Sequence, residues 1–123
     1  MYIDAIIRIK NGVSAKKDSV RVRYSKENTA VLEGLKRFGF IKDFEVRGRS
    51  FKKIIDVTLN YDRPLNGVKF LSKPSLRRYK GYREFRPVKS GYGVLFVSTP
   101  EGIMAGHEAR KKKVGGQLLF EIW

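Results

Sequence analysis

The stretch Ser25-Lys26-Glu27-Asn28-Thr29-Ala30-Val31-Leu32-Glu33-Gly34-Leu35-Lys36-Arg37-Phe38-Gly39 decides the reading of the fold, because its two ends and its period are all marked. Ser25 is a good N-cap, since its hydroxyl can accept from an amide of the first turn. Val31, Leu35 and Phe38 then fall on one face at helical spacing, and Gly39 supplies the stop. Immediately afterwards the period changes. Phe44-Glu45-Val46 and the alternating set Ile55, Val57, Leu59 and Tyr61 read as two strands, and Arg47-Gly48-Arg49-Ser50 between them has turn composition, so a hairpin follows the helix. Upstream, Val20-Arg21-Val22-Arg23-Tyr24 alternates apolar with cationic residues and reads as a half-buried strand. Ile3, Ile6 and Ile7, with Asp4 in the first turn, predict an amphipathic helix over residues 2–11 that Asn11-Gly12 stops. Helix, strand, helix, strand, strand makes an α+β lobe.

Asp62-Arg63-Pro64-Leu65-Asn66-Gly67 is the richest cluster of turn formers, and the boundary between two lobes is expected there: an N-terminal α/β lobe over 1–62 and a mainly β lobe over 63–123. In the second lobe Val68 to Ser72 predicts a strand, Leu76 to Lys80 an extended segment, and Tyr82 to Lys89 a short helix interrupted by Pro87. Val94-Leu95-Phe96-Val97 is a continuous apolar strand after Gly91-Tyr92-Gly93. A helical turn is expected around Glu108 to Lys113, and a terminal strand over Leu118 to Trp123 after a Gly115-Gly116 turn. No internal repeat or low-complexity segment interrupts this order.

Charge dominates the composition. In 123 residues, 27 Lys and Arg stand against 12 Asp and Glu, a net charge of +15. Such self-repulsion opposes compaction of the free chain and points to a polyanion that normally neutralises it. Hydrophobic residues at 41% still suffice for a folded core. With no cysteine, disulfides, thiolate zinc sites and cysteine nucleophiles are excluded. The chain starts with no basic leader and holds no apolar run of the roughly 18 residues that a membrane span needs, so a soluble intracellular protein is expected.

Between Arg63 and Lys89 nine Lys or Arg residues and one acid, Glu84, are interleaved with Phe70, Tyr79, Tyr82 and Phe85. Cations track phosphates while aromatic and guanidinium planes stack on unpaired bases, a combination suited to irregular RNA. Phe70 and Phe85 are better read as core residues. Tyr79, flanked by Arg77, Arg78 and Lys80, reads as surface. A second basic run, Arg110 to Lys113 with Lys111 and Lys112 at its centre, precedes Gly115-Gly116, where a backbone without side chains could approach phosphate or sugar oxygens; an ordinary turn before an edge strand fits the pattern equally well. Ser98-Thr99-Pro100-Glu101-Gly102 follows the apolar strand, so its hydroxyls would stand on an anchored loop, able to read base edges or 2′-hydroxyls, although a plain polar turn has the same composition.

Enzymatic readings are thin. His107 is the only histidine, and any RNA-processing chemistry or metal site would have to be built around it alone. Gly91-Tyr92-Gly93 lacks the third glycine of a dinucleotide fingerprint and runs into a strand rather than a helix. No cofactor or metal is expected. A DNA-binding architectural protein is a third reading.

The C-terminal words Val97-Ser98-Thr99, Gly102-Ile103-Met104, Glu108-Ala109-Arg110, Gly115-Gly116 and Glu121-Ile122-Trp123, in that order and at close spacing, resemble the bacterial form of the eighth protein of the small ribosomal subunit. The resemblance runs back through Ser72-Lys73-Pro74 with Arg77-Arg78-Tyr79, through Gly39-Phe40-Ile41-Lys42-Asp43 and Ser25-Lys26, to Arg8-Ile9-Lys10-Asn11. It implies a two-lobed structural protein that binds the central domain of small-subunit ribosomal RNA and supports its assembly. Its other partners would be neighbouring small-subunit proteins, with no membrane, no small-molecule substrate and no obligate homo-oligomer. The RNA-binding residues so implied are Ser98, Thr99, Pro100 and Gly102 of the loop, Gly115, Gly116 and Gln117, the positions Lys73, Arg77 and Tyr79, and Lys26 as a secondary contact; Lys111 and Lys112 join them from the basic run. Departures from the family pattern cluster in the same region: Pro100 and Glu101 in the loop, Ala105-Gly106 after it, and Gln117 after the glycines.

Overall fold

A computed structural model describes residues 2–49, 52–72, 76–85 and 93–123, and divides the chain into two compact units, Met1–Asn66 and Gly67–Trp123. The division falls inside the turn-rich cluster at 62–67. Helices and antiparallel sheets mix in an α+β fold. Among the described residues no helix is long and apolar enough to cross a membrane.

The first unit runs α1 (Tyr2–Ser14), β1 (Ser19–Arg23), α2 (Lys26–Arg37), β2 (Ile41–Arg47) and β3 (Ile54–Leu59), with the strands in the order β1-β3-β2. Helix α2 starts where its cap predicts. Ser25 has extended backbone angles, its Oγ accepts from the Asn28 amide at 3.0 Å, and Gly39 takes a φ of +81° just past the last turn. Val31, Leu32 and Leu35 are fully buried. Because paired residues of antiparallel strands share a face, Val22–Ile55–Val46 and Val20–Val57–Phe44 form apolar rows on one side of the sheet, and Arg21–Asp56–Glu45 and Ser19–Thr58–Asp43 form polar rows on the other.

Two expectations for this unit are corrected. Helix α1 does not stop at Gly12 but continues to Ser14, and its buried residues are Tyr2, Ala5, Ile6, Ile9 and Gly12, with Ile7 on the exposed side. Gly12 is a packing glycine: a Cβ there would lie 2.5 Å from Val20 Cγ1 and 3.1 Å from Leu59 Cδ1, so its bareness lets the helix settle on the sheet. Tyr61 lies beyond the end of β3 and is exposed.

The second unit comprises β4 (Val68–Phe70), β5 (Tyr79–Lys80), a single 3-10 turn (Tyr82–Glu84), β6 (Val94–Thr99), β7 (Gly102–Ala105), α3 (Gly106–Lys112) and β8 (Gly116–Ile122). Strand β8 is the hub, pairing β6 on one side and both β4 and β5 on the other, while β7 pairs β6 from the far side. Phe85, Leu95, Val97, Met104, Ala109 and Leu118 form one buried cluster. Phe96 stacks on Phe120 at 5.0 Å, and Phe70 meets Phe120 edge-on at 6.4 Å. The helix expected over Tyr82 to Lys89 is only the 3-10 turn in its described part, where Phe85 then turns extended and inserts into the core; Arg86 to Lys89 lie outside the described residues.

Candidate nucleic-acid interface

Strand register gathers the sequence-marked positions. Tyr79 of β5 pairs with Gln117 of β8, Gln117 pairs with Ser98 of β6, and Ser98 pairs with Ile103 of β7. Directly paired residues project to the same side, so Tyr79, Gln117 and Ser98 make one row across three strands, although 38 positions of sequence separate Tyr79 from its neighbour Gln117. Tyr79 is the most open member at 66% exposed, whereas Ser98 and Gln117 are half-buried. An aromatic face, an amide and a hydroxyl in line offer one stacking group and two groups that both donate and accept.

Strand β5 is only two residues long, and two hydrogen bonds at the preceding Arg78 hold it in register. Leu118 N donates to Arg78 O at 2.8 Å, and Arg78 N donates to Oγ of the fully buried Ser72 at 3.0 Å. Arg77, Arg78, Tyr79 and Lys80 are all exposed as a result. Lys80, marked in the sequence only as a neighbour of Tyr79, pairs with Gly116 and belongs to the same surface; a strand of two residues is too short to leave a period that would place it there. Lys73 lies outside the described residues.

The two loop hydroxyls part company. Thr99 follows Ser98 and so points to the opposite face; it is 8% exposed, and its Oγ1 donates to Gly102 O at 2.8 Å and accepts from Glu101 N at 3.2 Å. Its proton is committed to closing the β6–β7 turn. Pro100 and Glu101 occupy the exposed tip, and Gly102 returns the chain with a φ of +118°, a value that only glycine adopts without strain. Ser98 therefore faces outward from a turn that Thr99 braces.

Gly115 and Gly116 do not form the expected turn. Gly116 already belongs to β8, and a Cβ there would run into Ser98 O and stand 3.2 Å from Thr99 Cα; at Gly115 it would meet Lys80 O at 2.8 Å. The close neighbours that require glycine are the protein's own strands β5 and β6. Both glycines hold the row together from its centre.

Helix α3 supplies the second set of cations. Glu108 Oε1 accepts from Ala105 N at 3.1 Å at its start, Ala109 is buried, and Lys113 ends it with a φ of +58°. Arg110, Lys111, Lys112 and Lys113 are exposed, and Lys112 precedes Gly116 by about 14 Å of chain at most. No carboxylate pairs with Arg77, Arg78, Lys80, Lys111 or Lys112 among the described residues. Lys26, exposed in the first turn of α2, belongs to the other unit. His107 is exposed on α3, and no metal-holding cluster of His, Asp and Glu occurs among the described residues.

A family model described as ribosomal protein S8 matches residues 2–123. The chain is similar to the small ribosomal subunit protein uS8 of Mycoplasma mobile, 37% identical with 98% of this chain and 92% of that protein covered. It is also similar to the proteins of the same name from Nautilia profundicola, 40% identical with coverages of 98% and 95%, and Helicobacter pylori, 38% identical with the same coverages.

Proposed function

Because the chain belongs to the ribosomal protein S8 family, we propose that this structural component of the small ribosomal subunit binds the central domain of small-subunit ribosomal RNA and supports its assembly. Members of the family are ribosomal constituents and not enzymes, and this protein's place is the ribosome in the bacterial cytoplasm. The observation that carries the finer reading is the Tyr79–Gln117–Ser98 row, flanked by cations that no carboxylate neutralises among the described residues. Phosphates would be met by Arg77, Arg78, Lys80, Lys111 and Lys112, and by Lys73 through the family likeness. Ser98 and Gln117 would take base edges or 2′-hydroxyls, and Tyr79 an unstacked base. The half-buried seat of Ser98 and Gln117 favours RNA whose helix is locally distorted, because the major groove of a regular A-form helix is too narrow for side chains and its shallow minor groove is read mostly by shape and 2′-hydroxyls. Neighbouring small-subunit proteins complete the set of partners, and Lys26 offers a second, weaker RNA contact from the first unit.

Chemical footprinting of the protein on small-subunit ribosomal RNA tests this reading. Protection is expected within an irregular helix of the central domain, and protection confined to another domain would refute it. With roughly six phosphates neutralised, log affinity should fall against log salt with a slope of about −4 to −5. A flat salt response would remove the electrostatic half of the argument.

A further inference from the structure

The corner where α1, β1 and α2 meet in the first unit holds a pocket of about 460 Å³, lined by Asp4, Ile7 and Arg8 of α1, Val22 and Arg23 of β1, and Asn28 of α2. The C-terminal surface does not account for it. Asn28 is the informative residue. It is 3% exposed, its Nδ2 donates to Arg23 O at 2.8 Å, and its Oδ1 has no hydrogen-bond partner among the described residues. The bond to the carbonyl fixes the amide's orientation, since the oxygen cannot take the donor's place, and leaves a buried acceptor unmet. A buried polar group without a partner is costly, and one that lines a pocket can gain its donor only from what enters.

The charges around the pocket are equally uncommitted. Asp4 and Arg23 make no side-chain hydrogen bond or ion pair among the described residues, and Arg8 gives only one long bond, 3.4 Å to Arg21 O. Asp4 and Arg8 stand one helical turn apart without joining. Ile7, 40% exposed, adds an apolar surface, and Val22 a buried one.

We propose that this pocket accepts a single unpaired nucleotide. Arg8 and Arg23 supply donors for its phosphate, Asn28 Oδ1 and the Asp4 carboxylate supply acceptors for the amino group of its base, and Ile7 lies against the base face. An acidic side chain would satisfy the two arginines but bring no donor to Asn28, and a cation would be repelled by them. A nucleotide brings both, and the volume lies in the range of small-molecule sites. Adenine, cytosine and guanine all carry an exocyclic amino group; uracil's one base donor is flanked by two carbonyls that would face the two acceptors, so uracil is disfavoured. The source of the nucleotide rests on the RNA-binding reading above: it is a residue of the bound RNA, and a free mononucleotide shares its chemistry.

The test uses the full chain labelled with nitrogen-15 and titrated with AMP, CMP and UMP, reading the side-chain amide of Asn28 and the Nε signals of Arg8 and Arg23. AMP and CMP should shift these signals saturably, with UMP about fivefold weaker, the worth of one hydrogen bond. Asn28→Ala should weaken AMP by a similar factor. Arg23→Gln, at an exposed strand end and without loss of the backbone carbonyl that Asn28 uses, should also weaken AMP, which separates ligand binding from damage to the fold. In the RNA arm, both variants should lose protection at one unpaired nucleotide of the ribosomal RNA and keep the rest of the footprint. No shift with any mononucleotide and an unchanged footprint overturn the proposal; shifts with an unchanged footprint overturn the RNA source. Shifts in a protein that binds no ribosomal RNA would instead refute the function proposed above.

Discussion

The two units carry comparable excesses of positive charge but dispose of it differently. In the first, the polar face of the sheet is internally compensated: Arg21 and Arg47 both reach Asp56, at 3.4 and 3.0 Å, Arg47 also reaches Glu45 at 3.2 Å, and Lys36 reaches Asp43 at 3.0 Å. In the second, the exposed cations of Arg77–Lys80 and of the last turn of α3 have no such partners among the described residues. Net charge announces that a polyanion is near, whereas local compensation indicates which face meets it. Paired surface ions are also weakly coupled to folding, so the first unit's network is a surface already neutral at close range.

The largest expected effect follows from that contrast. Replacing Arg77, Lys80, Lys111 and Lys112 together by Ala should reduce the salt slope of ribosomal RNA binding by about 3–4 and weaken binding at moderate salt on the order of a hundredfold. Replacing Arg21 and Arg47 by Ala should leave the slope within error of wild type. Equal slope changes in the two variants, measured by filter binding across a salt series, would erase the distinction between the units.

Packing gives a second, smaller contrast. At Gly116 the atoms that a new Cβ would strike belong to the backbone of β6, Ser98 O and Thr99 Cα, and cannot rotate away. Gly116→Ala should therefore cost about 1–3 kcal/mol of stability and disturb the row between Ser98 and Tyr79, weakening RNA binding as well. At Gly12 the obstacles are the side chains of Val20 and Leu59, and helix propensity favours Ala over Gly by about 1 kcal/mol. Gly12→Ala should thus lower the melting temperature less, with RNA affinity unchanged. A larger loss at Gly12 would reverse the ranking.

The same residues explain what the sequence revealed. Helix α2 was legible from Ser25 to Gly39 because its cap, period and stop are local features. The stop at Gly12 was misread because a glycine that packs and a glycine that breaks a helix look alike until the sheet beneath is known. Ser98, Gln117 and Tyr79 could be marked one by one through the family resemblance, but their alignment is a property of strand register. Strand β5 leaves no periodic signal in two residues and depends on bonds from Leu118 and to Ser72. Burial of the Thr99 hydroxyl in its own turn was equally hidden, since a side chain that braces a loop has the same letter as one that reads RNA.

The smallest effect lies in the compensated unit and has a definite sign. The Lys36 side chain bonded to Asp43, helped by the Phe44 amide and by the lysine's charge, holds the Asp43 carboxyl below its ordinary 3.8. A carboxylate with a depressed folded value stabilises the fold fully above its unfolded value, near 3.8, and that contribution is lost as pH falls through the lower folded value. Lys36→Ala should therefore be slightly less stable than wild type at neutral pH, and the two melting curves should converge as the pH falls through the depressed folded value of Asp43. The pair is exposed, so the gap should also shrink with added salt. RNA affinity at neutral pH should not follow this change, because Lys36 already spends its charge on Asp43. A stability gap that persisted unchanged from neutral to strongly acid pH would mean that Lys36 acts through packing of α2, and Lys36 and Asp43 could then no longer be counted in the compensated network of the first unit's polar face.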